Sequence, residues 1–159
     1  MIIDVFLVII LLGIMVFEAK RGFGKAIFDF IALFVAVRLV PIVVPQLAKS
    51  FCFISESQAN EALLFAGAFA VLAIALLFIG KKVYDATLIT LDTFDHPLGG
   101  VLGIGVAIIL GHVVMKLLAI AASTGGVLPD MLVKSSIGME FYQFVTYHKV
   151  MALMSSLTA

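Results

Sequence analysis

The chain has 159 residues, of which 64% are hydrophobic and only 13% charged. A soluble domain carries about 45–50% apolar and about 25% charged residues, so lipid has to cover what water cannot. Ten basic and ten acidic residues cancel, which argues against nucleic acid or an acidic polymer as partner.

The first spanning segment is expected over residues 2–17, with Asp4 at one interface. At about 1.5 Å per residue it reaches about 24 Å, just enough to cross the hydrocarbon. Lys20, Arg21 and Lys25 follow the apolar run. A cleaved leader has its cations before the run, so this segment reads as a retained helix. Gly22 and Gly24 allow a tight reversal.

A second span is expected over 26–44, holding Asp29 near one end and Arg38 deep inside. Pro41 should bend it and Pro45 end it. Ser55 reads as the cap of the next helix. The third span, over 62–80, has no charge, and Ala62, Ala66 and Ala70 put a smooth stripe on one face. Over 82–95, Tyr84, Leu88 and Leu91 oppose Asp85 and Asp92, the pattern of an amphipathic helix on the membrane surface.

The fourth span is expected over 98–122. Gly99, Gly103, Ala107 and Gly111 recur every four residues and make a groove for close approach by a helix of this chain or of a second copy. A Gly/Pro-rich break over 123–129 follows. Ile137, Phe141, Val145 and Met151 then place a second surface helix over 130–154. The sum is a single all-α domain over 1–159, a bundle of four transmembrane helices with amphipathic surface helices after the third and fourth spans. Lys and Arg crowd the loops after the first and third spans, so those loops should be cytoplasmic and both termini outside the cytoplasm.

Several polar residues carry two readings. A central Arg38 costs about 2.5–3.5 kcal/mol on insertion scales; it either pairs inside the bundle, with Asp4 as candidate, or snorkels to the headgroups. His112 and Lys116, one turn apart, form either a proton-linked or anion-binding pair or a polar seam between helices. Asp29 pairs with Lys25, Arg21 or Lys82, or stays hydrated. Asp92 and Asp95 beside His96 hold a cation weakly, or Asp95 caps the helix that Pro97 opens. The single Cys52 can close no internal disulfide and reads as a small apolar filler. Lys134 next to Ser135 and Ser136 does not face them on a helix, and Gly22-Phe23-Gly24 is too short to cradle phosphate. No catalytic, cofactor-binding or metal-ligating set is expected.

Three stretches stand in a telling order: Ile3-Asp4 and Arg21-Gly22-Phe23 around the first span, Asp95-His96-Pro97-Leu98-Gly99 with Gly103, and Leu128-Pro129-Asp130 before Lys134-Ser135. Together they resemble the colicin V production protein family, CvpA. His96 stands where that family usually has Arg, and the last span lacks the Arg often found near Val106. The resemblance implies a bacterial inner-membrane protein of four spans, linked to production or export of the colicin V toxin and to envelope integrity. It is expected to be no enzyme and to work by helix packing and partner contacts. Its partners would be the lipid bilayer and a second copy or other envelope proteins. The rival reading is a small oligomeric channel or transporter using Arg38, His112 and Lys116.

Overall fold

The computed structural model describes residues 2–87, 94–122 and 130–144, and the regular structure in them is all helical. In chain order the helices are α1 (Ile2–Arg21), α2 (Phe23–Ser50), α3 (Ser57–Thr87), α4 (Asp95–Ala122), α5 (Asp130–Val133) and α6 (Ser136–Gln143). Three of them, α2, α3 and α4, are long and apolar enough to cross a membrane. Their 28, 31 and 28 residues reach about 42–47 Å, beyond the hydrocarbon's roughly 30 Å. The excess places Lys25, Lys49, Lys81 and Lys82 near helix ends. Helix α1 has 20 residues and charges at both ends, Asp4 in its first turn and Lys20 and Arg21 in its last.

Several helix limits differ from those expected. Helix α2 runs through Pro41 and Pro45 to Ser50. In a spanning helix, neighbouring helices re-satisfy the backbone groups a proline frees, so the break is not forced. Helix α3 starts at Ser57, and Asn60 ties down the loop before it. The Asn60 side-chain oxygen accepts from the backbone N–H of Phe53 at 2.8 Å, and its amide donates to the Phe51 carbonyl at 3.2 Å. At its far end α3 continues past Lys81 and Lys82 to Thr87. The first part of the expected surface helix is therefore an extension of the span. Leu88, Leu91 and Asp92 lie outside the described residues.

The tail also departs from expectation. Over the described part of the tail, 130–144, there are two short helices and not one continuous one, and α6 ends where Phe144 turns left-handed at φ 51°. Ser135 caps α6, accepting from the Gly138 N–H at 2.9 Å. These helices pack on α1 and α4, with Leu132 and Phe141 buried beside Leu7 and Met115. A Cβ on Gly111 would lie 2.5 Å from the Phe141 ring. Gly111 stands eleven residues before the end of α4 (122 − 111), or about 16 Å along the helix. The tail is thus sunk deep beside the bundle, because Phe141 needs an apolar seat and Gly111 leaves one. The break at 123–129, Val145 and Met151 are outside the described residues.

Helix α4 is the hub, touching α1, α2, α3 and α6. One buried cluster joins Leu33, Ala36, Ala73, Val106 and Ile109, and a second joins Val40, Val44, Leu64, Phe65 and Val113. Small residues let the backbones meet. A Cβ on Gly99 would lie 2.8 Å from the Glu18 carbonyl oxygen, and one on Gly103 would lie 2.9 Å from the Met15 Cα. The groove of α4 is therefore filled by α1 of the same chain. Outward, Val71, Ile74 and Val101 stay 69%, 68% and 62% exposed, which suits a wall against lipid.

Candidate functional site

The polar residues gather at two places. The first is the joint between α1 and α2, a single residue long. Gly22 takes φ +85°, a conformation other residues reach at a cost. Its N–H still bonds the Glu18 carbonyl at 3.0 Å and its own carbonyl accepts from Ala26 at 3.1 Å, so one helix ends and the next begins with no loop between. A Cβ at Gly22 would strike the Asp95 carboxylate at 1.9 Å. That carboxylate accepts from the Phe23 N–H at 3.1 Å. Asp95 opens α4 but caps α2, fastening the joint to the hub helix. Beside it, His96 donates through Nδ1 to the Ala19 carbonyl at 2.8 Å, since a carbonyl can only accept.

One turn away lies an ion triad. The Arg21 guanidinium bonds Glu18 Oε1 at 3.0 Å and Asp29 Oδ2 on α2. The Glu18 and Asp29 side chains are only 4% and 11% exposed, against 33% for Arg21. One cation thus serves two buried carboxylates, which ties α1 to α2 by a charge-assisted fork. Among the described residues, Glu18 Oε2 is buried without a hydrogen-bond partner. Of the partners weighed for Asp29, the structure selects Arg21.

The second place joins the start of α1, the C-terminal half of α4 and the tail. Asp4 Oδ1 accepts from the Ser135 hydroxyl at 2.7 Å and from the Ile137 N–H at 3.0 Å. His112 Nδ1 donates to the Phe141 carbonyl at 2.6 Å, and its ring stacks on Phe144 at 4.8 Å. Lys116 Nζ sits over the Tyr142 ring at 4.9 Å. His112 and Lys116 therefore both grip α6, a role their spacing did not disclose. Arg38 joins neither place: it is exposed on α2 with its guanidinium 5.4 Å from the Phe34 ring centre.

Cutting the bonds at the second place should free the tail. In the Asp4→Ala chain, amide hydrogen exchange across 136–143 is expected to speed up while that of α2 stays as it was. Asp4 Oδ1 accepts both bonds from this part of the tail, and a helix of eight residues is too short to persist alone. Unchanged exchange in α6 would mean that Phe141, His112 and Lys116 hold the tail without Asp4.

Three residues have roles here that the sequence reading does not assign them. Glu18 stands three residues before Arg21, the spacing of a helical pair. Ser135 with Gly138 had cap spacing, and Phe141 was assigned to a surface face. Among the described residues no group of three His, Cys, Asp or Glu could hold a metal ion.

Against known proteins, the family model described as colicin V production protein matches residues 3–147, which takes in both polar places. No curated protein and no solved structure matches the chain.

Proposed function

We propose, from the premise that the chain belongs to the colicin V production protein family, that it is an inner-membrane protein of four spans serving toxin production or export and envelope homeostasis. It does so by presenting a packed helical surface to partner proteins, without chemistry of its own. The observation that carries this reading is the family match over residues 3–147. The geometry agrees with it, since Asp4, Arg21, Asp29, Asp95 and His112 are engaged in joining helices. Helix α1 serves as the fourth span, laid along α4 with Val5 and Ile9 facing outward at 60% and 63% exposure. The ends bearing Lys20, Arg21, Lys25, Lys81 and Lys82 face the cytoplasm, and both termini lie outside it.

The test is complementation. In a colicin V-producing strain stripped of its own family member, this chain is expected to restore toxin release. Normal membrane levels with no restored release would overturn the reading. Orientation is read separately from Cys52, which is exposed in the loop between α2 and α3. An impermeant thiol reagent should label it in intact cells, and labelling only after the cytoplasm is opened would reverse the topology. The channel alternative, lined by Arg38, His112 and Lys116 in an oligomer, gains less support. Arg38 lies over Phe34, while the other two hold the tail.

A further inference from the structure

A cleft of about 530 Å³ opens between the start of α2 and the end of α3. Its lower wall is apolar, formed by Phe28, Leu77 and by Ile74 and Phe78, which are 68% and 62% exposed on the outer face. Its upper wall carries Arg21, Lys25 and Lys81. Lys25 is held over the Tyr84 ring at 5.5 Å, and Tyr84 itself packs edge-on against Phe28. Both lysines therefore stand at the rim where the apolar wall ends.

The charges on this rim do not cancel. Asp29 and Glu18 both draw on Arg21. Asp85 stands one helical turn beyond Lys81, farther from the apolar wall. Among the described residues, neither Lys25 nor Lys81 has a carboxylate within ion-pair distance. Among the residues lining the cleft three cations stand against two carboxylates, and with Arg21 taken up by Asp29 and Glu18, Lys25 and Lys81 are the cations left open above the greasy slot. A phosphodiester with a single net negative charge, attached to an acyl chain, answers both features. A zwitterionic lipid answers only the slot, and free phosphate answers only the rim.

We infer that this cleft between α2 and α3 binds an anionic phospholipid, its phosphate between Lys25 and Lys81 and an acyl chain along Ile74 and Phe78. The site goes beyond the family-based reading and does not depend on any role in toxin release. It depends only on the α2–α3 pair standing in a bilayer.

The experiment uses the full chain in nanodiscs of phosphatidylcholine doped with phosphatidylglycerol, with lipids retained after gentle extraction counted by native mass spectrometry. The wild-type chain is expected to retain phosphatidylglycerol in preference to phosphatidylcholine. A lysine near an anionic headgroup is worth about fivefold, so Lys25→Gln or Lys81→Gln should each lose about that and the pair about twentyfold. The Lys25→Arg/Lys81→Arg chain should keep the preference, and Lys49→Gln, at the opposite end of α2, should not alter it. Three results would overturn the inference: no preference in the wild type, full preference in the Lys25→Gln/Lys81→Gln chain, or displacement of the lipid by millimolar inorganic phosphate. The last would mark an ion site in place of a lipid site. Exposed lysines can be changed without disturbing the core, and helical circular dichroism of each variant verifies this.

Discussion

Alanine at Gly99 and Gly103 should loosen the bundle more than any other pair of single-methyl additions to α4. At Gly99 the new methyl meets backbone, the Glu18 carbonyl oxygen at 2.8 Å and the Gly22 carbonyl carbon at 2.9 Å. At Gly103 it meets the Met15 Cα and the Glu18 Cβ, both at 2.9 Å. Backbone cannot rotate away as a side chain can, so α1 must move as a body. Overpacking of this kind costs about 1–3 kcal/mol per site. The natural comparison is Gly13 and Gly67, whose added Cβ would meet nothing within 4 Å. There alanine should be neutral or gain up to about 1 kcal/mol from helix propensity. Thermal unfolding in mild detergent reads both. Equal melting temperatures for the Gly99→Ala/Gly103→Ala and Gly13→Ala/Gly67→Ala chains would sink the account of the α1–α4 seam.

Removing the guanidinium of Arg21 should be nearly as damaging, for an electrostatic reason. Glu18 and Asp29 would be left buried side by side with no cation between them. Breaking a fully buried pair costs about 3–5 kcal/mol. Because the Arg21 side chain is 33% exposed, water recovers part of this, and about 2–3 kcal/mol is expected for Arg21→Gln. Denaturant unfolding measures the loss. Adding Asp29→Asn to Arg21→Gln should win back more than half of it, since the repulsion disappears with the charge. Failure of that second change to rescue would show that Arg21 acts through packing, for its guanidinium also lies 5.2 Å from the Phe17 ring centre.

Composition and periodicity made the helical architecture and the apolar spans legible, because lipid leaves the backbone few options. They also placed the glycine seam at Gly99 and Gly103. The joint was half legible: Gly22 was marked as a turn, but not that Asp95, 73 residues on, would cap it (95 − 22). Such long-range hydrogen bonds leave no periodic trace. Helix limits went astray where local rules were overridden. Pro41 and Pro45 do not end α2, because packing holds that helix together across them. Lys81 and Lys82 do not end α3, because charged side chains tolerate a helix that emerges into water. The tail was misjudged since a half-apolar face reads the same against lipid headgroups as against a groove in protein. Only Gly111, absent a side chain, hinted at which one it meets.

The sunken tail has a consequence for how the protein is made. Asp4 is synthesised 131 residues before its partner Ser135, and Ile137 follows that. Until those arrive, the bonds from Ser135 and Ile137 to Asp4 and from His112 to Phe141 are unmade. The nascent bundle is thus an open book whose clasp is written in the last chapter. A quality-control protease that samples unfinished membrane proteins would see that opened state, and docking of the tail is the event that hides it.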